Sequence, residues 1–304
     1  MPNRASAHWA NTSSHGISRP SPSGNLLFII LNILLSSSFI LGMRWNQLND
    51  RDLLSVGAIN YITGWLVSLI LYLLPGNQAH SSPAILWGTV NGAGYFIAFF
   101  LLLGTMKWKG AAQATVFARL SILVPVSVGI IVWGETPNGA EWGGITLACV
   151  SLLLIGGGKN LIEEKLPPGA FVTISLFFLI AGCSRLAQEG FKHQAEENEQ
   201  MAYLLAAFTV MGVCSAVMLM KRKVKPGWTE CWTGVLIGIA NSLQVLFILK
   251  ALEGYPGYVV FPVASAGGLL MTTLFAVIWL KESLSARGLV GISVAVLAVV
   301  ALQS

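Results

Sequence analysis

Charge is scarce in this chain. Asp, Glu, Lys and Arg make up 10% of its 304 residues and hydrophobic residues 55%, whereas a soluble domain carries roughly a quarter charged residues. Mean hydropathy is +0.71. That shortage excludes an ordinary soluble enzyme. Cysteine is also sparse: Cys149, Cys183, Cys214 and Cys231 show no CxxC spacing, so neither a disulfide framework nor a thiolate metal site is expected. The four histidines, His8, His15, His80 and His193, fall in the N-terminal tail or between apolar runs. A membrane metalloenzyme would need them clustered with carboxylates at membrane depth. No Asp or Glu lies midway along an apolar run, which argues against proton coupling through a buried carboxylate. No cofactor motif is present. Gly156-Gly157-Gly158-Lys159 lacks the first Gly and the following Ser/Thr of a phosphate loop, and reads as a span end with an interfacial Lys.

Long apolar runs are what the chain does have. A bilayer span needs roughly 20 apolar residues, and without water its backbone must pair internally, so each run is predicted to be a helix. About ten spans are expected, beginning near Leu26, Ser55, Pro83, Gly110, Gly139, Pro168, Gln200, Trp228, Pro256 and Ala286. The fold class is all-α integral membrane, and the connections are too short for an extramembrane domain. Residues 1–25 are rich in Ser, Asn and Pro, with Arg4 and Arg19 and no acid. They are expected to be a disordered polar tail and lack the apolar core of a signal peptide.

The two halves carry nearly the same phrase. Trp133-Gly134-Glu135 is followed, after eight intervening residues, by Gly144-Ile145, and Trp279-Leu280-Lys281-Glu282, at the same spacing, by Gly291-Ile292. Positions 135 and 282 are 147 residues apart, close to half the chain. A second coincidence sits in spans three and eight: Gly88 and Gly92 follow Trp87, and Gly234 and Gly238 follow Trp232. Both are small-xxx-small faces that let helix backbones approach closely. The expected halves are residues 26–158 and 168–304. An odd number of spans per half makes the repeat inverted, with a substrate site near the midplane between the halves.

From Asn25 to the C-terminus the chain resembles a ten-helix EamA-like member of the drug/metabolite transporter superfamily. The resemblance rests on the five-plus-five repeat and on the Glu closing spans four and nine. Glu135 fits the family's Gly-Glu pair, whereas Lys281 stands where Gly is usual. It implies a transporter of amino acids, drugs, metabolites or sugars. The small multidrug relatives keep a titrating carboxylate in their first span, where this chain offers Asn32 and Ser36-Ser37-Ser38. Most ten-helix relatives keep both termini in the cytoplasm. Here twelve of the 18 Lys and Arg residues lie on odd-numbered connections, four on the tail and even-numbered ones, and Arg119 and Arg185 within spans. Basic residues mark the cytoplasmic face, so the termini are predicted outside a cell (inner) membrane that the chain crosses many times. The net charge of +5 is thus an orientation signal and not a sign of nucleic-acid binding.

An ionisable residue at membrane depth points to function. Arg119 is the first candidate, because its planar fork can hold a carboxylate bidentately. Arg185 lies four residues before Glu189, a spacing that predicts a helical salt bridge or a gate. Asn91, Tyr95, Asn241, Gln244, Asn32, Tyr61 and Gln113 are the candidate uncharged ligands. Pro125 and Pro262, in corresponding spans, are candidate hinges. The expectation is a carrier for a small polar metabolite, amino-acid-, sugar- or organic-anion-like, working by alternating access. The rival is a multidrug or organic-cation exporter. A membrane-embedded enzyme is a weaker alternative: Glu135 with Glu141, or Glu253 with Tyr255, would serve it poorly without a His partner. The partners implied are a small-molecule substrate and the lipid bilayer, with a homodimer left open.

Overall fold

Ten α-helices make up nearly all of the computed structural model, which describes residues 22–156, 170–222, 225–280 and 286–302, with the backbone alone at 22–25, 105–118, 155–156, 170–171, 276–277, 279–280 and 286. They are α1 Pro22–Leu48, α2 Leu53–Leu73, α3 Ser82–Leu120, α4 Leu123–Ile131 and α5 Gly139–Gly156. The second half holds α6 Ala170–Gln194, α7 Gln200–Lys221, α8 Trp228–Gly254, α9 Gly257–Leu280 and α10 Ala286–Ala301. Seven of these are long and apolar enough to cross a membrane. Apolar side chains on the outside stay open, among them Ile70 at 61% and Val300 at 61%, as befits a surface facing lipid.

Nine helices start within about four residues of the expected positions. The exception is the span expected from Gly110. The chain stays helical from Ser82 to Leu120, turns at Ser121-Ile122, and restarts at Leu123. Pro125 explains the break. In a continuous helix its ring would clash with the Ser121 carbonyl. In the first turn of α4 its missing N–H is one that no intrahelical bond would have used. Pro262 does sit inside a helix, α9.

Helix α1 packs on α8 and α9, α2 on α7 and α8, α3 on α6 and α7, α4 on α6, and α5 on α10. With each helix of the first half matched to the one five places later, α1–α8 corresponds to α3–α6, α3–α7 to α2–α8, and α1–α9 to α4–α6. The paired glycines explain two of these contacts. A Cβ on Gly88 or Gly92 would strike backbone of Tyr203 or Ala207 on α7. One on Gly238 would come within 2.6 Å of the Asn60 carbonyl oxygen on α2. Lipid tails are as apolar as leucine, so such close approach, not hydrophobic burial, holds the helices together.

The connections group into two ends. Ser81 Oγ donates to Glu199 Oε2 at 2.8 Å, linking the α2–α3 and α6–α7 connections. Arg222 Nη1 meets Asp52 Oδ2 at 2.9 Å, linking the α7 end to the α1–α2 connection. Burial would raise the Asp52 carboxyl, but hydrogen bonds from Ser55 and Arg222 and the Arg222 charge hold it below its usual range. Lys223, Lys281, Glu282 and the tail 1–21 lie outside the described residues.

Candidate functional site

A cavity of about 180 Å³ opens among α1, α2, α3, α6, α8 and α9. Its polar wall is Asn32, Ser36, Tyr61, Tyr95, Arg119, Arg185, Gln188, Asn241, Gln244 and Ser265. Aliphatic side chains and the rings of Phe39, Phe99 and Phe177 line the rest, with Tyr61 and Phe99 edge to face at 5.6 Å. Among the described residues, two arginines and no carboxylate line this space.

Arg119 stands in the last turn of α3, just before the break that Pro125 imposes, and is 5% exposed. Its Nη1 donates to the Ser265 carbonyl at 3.0 Å, whereas Nε and Nη2 are buried without a partner. Arg185 Nη1 donates to Ser265 Oγ at 3.3 Å. Ser265, on α9, therefore holds both guanidinium groups at one wall. On α1, α2 and α8, Asn241 donates to Asn60 Oδ1 at 3.1 Å, Gln244 donates to Asn241 Oδ1 at 2.6 Å, and Asn32 donates to the Gln244 carbonyl at 2.8 Å. These bonds leave the amides of α1, α2 and α8 fixed in orientation.

Of the residues singled out in the sequence, Arg119, Arg185, Tyr95, Asn241, Gln244, Asn32 and Tyr61 meet at this cavity. Asn91 does not. It is buried, and its Nδ2 donates to the Ser184 carbonyl at 2.6 Å, bracing α3 against α6. It lies four residues before Tyr95, and that one helical turn separates brace from cavity wall. The Gln113 side chain lies outside the described residues. Gln188, Phe39, Phe99 and Phe177 escaped notice in the sequence. Neither amphipathic patterning nor charge marks them, since only the tertiary arrangement tells a cavity-facing residue from a lipid-facing one.

The expected Arg185–Glu189 pairing gives way to a different arrangement. Glu189 is fully buried and pairs with Lys192 at 3.3 Å and with His193 at 3.4 Å. Glu135 joins them from the α4–α5 connection, 3.3 Å from Lys192 and 3.9 Å from His193. A histidine does therefore stand beside Glu135, and it belongs to the last turn of α6. Gly134 brings Glu135 there. At φ +68° it reverses the chain so that the Glu135 N–H returns to the Gly129 carbonyl at 3.0 Å, a backbone state costing other residues about 1–2 kcal/mol. Burial, then the negative charge of Glu189, raises the Glu135 carboxyl above the usual carboxylate range.

The profile of the EamA-like transporter family matches residues 22–157. The multidrug resistance protein EbrA of Bacillus subtilis is 33% identical over 89 residues, which span 28% of this chain and 82% of that protein. This chain belongs to the EamA-like transporter family. An uncharacterized protein of Haemophilus influenzae is similar over nearly the whole length, at 22% identity over 88% of this chain and 93% of its own. A solved crystal structure shares the fold at a TM-score of 0.71, over 92% of this chain and 96% of that one, with 17% identity. The protein is thus a multi-pass membrane transporter of the drug/metabolite type, set in a lipid bilayer and acting on a small molecule.

Proposed function

We propose that this transporter carries a small organic anion, such as a carboxylate-bearing metabolite, through the cavity by alternating access of residues 26–158 against 168–304. The observation that carries the reading is Arg119, a buried guanidinium on the cavity wall with two unpartnered nitrogens. A buried donor without a partner is costly, and a bidentate carboxylate is its natural complement. Arg185 adds a second positive charge, and the ordered amides of Asn32, Asn241 and Gln244 supply donors and acceptors for the rest of the molecule. The cavity's volume of about 180 Å³ lies below the roughly 300–1,000 Å³ of pockets that take drug-sized ligands, which favours a small solute. The reciprocal helix contacts support two equivalent halves, and the bias of basic residues to odd-numbered connections, ten against four once Lys107 and Lys109 fall inside α3, supports termini outside the cytoplasm.

The likeness to EbrA and the aromatic part of the wall favour a second reading, a multidrug exporter. Two arginines, with no carboxylate beside them among the described residues, oppose it for cations, because like charge disfavours binding in a site poorly screened by water. The test is a thermal-shift screen of the purified protein with carboxylates, amino acids, sugars and lipophilic cations, on wild type and Arg119→Ala in parallel. A ligand of the folded state raises apparent stability by mass action. Stabilisation by a carboxylate that vanishes in the variant is expected. Stabilisation by lipophilic cations, unchanged in the variant, would replace the anion reading with the multidrug one.

A further inference from the structure

We propose that Glu135, Glu189, Lys192 and His193 form a proton-binding site whose loading is coupled to movement of α6 and α9 around the cavity. The charges alone ask for a proton. Two carboxylates face one ammonium, so with neutral His193 the unprotonated cluster carries an uncompensated negative charge. Glu189 is fully buried, the Glu135 side chain is 9% exposed, and Oε2 of each is buried without a partner. Carboxylate oxygens of the two residues and a His193 ring nitrogen lie within 4.8 Å of one another. One proton held between the carboxyl groups brings the cluster to neutrality. Burial and the Glu189 charge raise the Glu135 carboxyl, which agrees with that geometry.

A metal ion fits less well. Lys192 Nζ already takes the cation position, 3.3 Å from one oxygen of each carboxylate and 3.4 Å from the Tyr255 carbonyl. His193 forms the open side of the site: its side chain is 26% exposed and stacks on Trp133 at 4.6 Å. The other ionisable groups nearby are Glu141 on α5 and Tyr258 on α9, whose hydroxyl donates to Glu141 at 3.4 Å. Glu253 on α8 and Glu197 share with Lys192 a second hollow of about 180 Å³.

Two features tie this cluster to the cavity. Helix α6 carries Arg185 and Gln188 on the cavity wall and Glu189, Lys192 and His193 in the cluster, and Gln188 also lines the second hollow. Helix α9 accepts both arginines at Ser265 and, about 12 Å earlier along its axis, donates the Gly257 N–H to Glu135 Oε1 at 3.4 Å. The cluster therefore clamps the first half, through Glu135, to α6 and α9 of the second. Its two charge states bias that clamp differently, which is the requirement for coupling.

The test needs no knowledge of the substrate, so its outcome is separate from that of the anion reading. In the full chain with the four native cysteines replaced, the labelling rate of Ser36→Cys on the cavity wall is measured with an impermeant maleimide from about pH 5 to about pH 8, a range spanning histidine and raised carboxylates. Rates are divided by those of Gln78→Cys on an exposed connection, which removes the pH dependence of an ordinary exposed thiol, and the cluster variants, carrying the same Ser36→Cys, control for that thiol's own ionisation. The ratio is expected to change at least about threefold and to become flat in Glu135→Gln and in Glu189→Gln. A flat ratio in the parent chain, or a pH dependence kept in both variants, overturns the proposal. Infrared difference spectra of the wild-type chain guard against variants that fail to fold. A buried carboxyl that titrates above the ordinary carboxylate range is expected, and its absence overturns the proposal independently.

Discussion

Replacing Arg119 by Met separates a binding charge from a structural one. The substitution keeps much of the side chain's length and removes the charge. In the empty protein Arg119 makes one hydrogen bond, to the Ser265 carbonyl at 3.0 Å; a bond to a charged group contributes about 1.5–3 kcal/mol. Against that loss stands the relief of Nε and Nη2, buried without partners, at about 1–3 kcal/mol for each unsatisfied group. For the two groups the relief is about 2–6 kcal/mol, which offsets most or all of the loss, so ligand-free Arg119→Met in detergent should be destabilised by no more than about 1 kcal/mol. Binding behaves otherwise. Loss of one partner from a buried, hydrogen-bonded charge pair costs about 2–5 kcal/mol, which raises Kd roughly 30-fold to a few thousand-fold. An anion at 100 times its wild-type Kd stabilises wild type by about 2.7 kcal/mol and the variant by under about 1 kcal/mol. The assay is thermal unfolding with and without the anion found in the screen. A variant that keeps the anion's stabilising effect would refute the reasoning. So would a loss of about 3–5 kcal/mol without ligand, the cost of breaking a buried ion pair.

Gly92→Ala should destabilise the fold by about 1–3 kcal/mol, because the new methyl meets the Ala207 backbone; Gly139→Ala, which meets nothing within 4 Å, is the control, and equal melting temperatures would show that α3 and α7 do not need the close approach. Asn241→Leu strips the partner from Asn60 Oδ1 and Gln244 Nε2, and should cost about 1–3 kcal/mol along with anion binding, read from thermal unfolding and the ligand shift together. Asp52→Asn should cost at most about 1 kcal/mol near neutral pH, since both partners of the Arg222 pair are 30% exposed. The Asp52 carboxyl lies below its ordinary value of 3.8, so its contribution is present above that value and lost as pH falls through the folded one. A stability-against-pH curve should therefore lose part of its acid limb in the variant. Glu135 has the opposite sign: its raised carboxyl favours the fold at low pH, and that contribution fades as pH rises through the folded value.

Hydropathy, Pro and Gly made much of the fold legible before any coordinates. A bilayer forces each apolar run into a helix, so nine helix starts follow from where such runs begin. The tenth did not, because Gly110 is a weaker stop than the clash Pro125 makes one turn back along the chain. The small-residue faces at Gly88, Gly92, Gly234 and Gly238 were legible for the same reason, as backbone contact in lipid depends on the missing side chain itself. Arg119 stood out because charge inside an apolar run is expensive.

Periodicity and spacing are local, and the sites are not. Arg185 and Glu189 sit one helical turn apart, yet Arg185 lines the cavity while Glu189 joins Glu135 from 54 residues earlier in the chain. Asn91 and Tyr95 likewise share a spacing but divide into a brace and a wall. The sequence by itself determined the class of the molecule, its helices and its most costly buried charge, since these follow from the cost of placing polar groups in lipid. Only the tertiary structure decided which polar residues face a common space and which carboxylates share Lys192 and His193, because both depend on distances of a few ångströms between segments far apart in the chain.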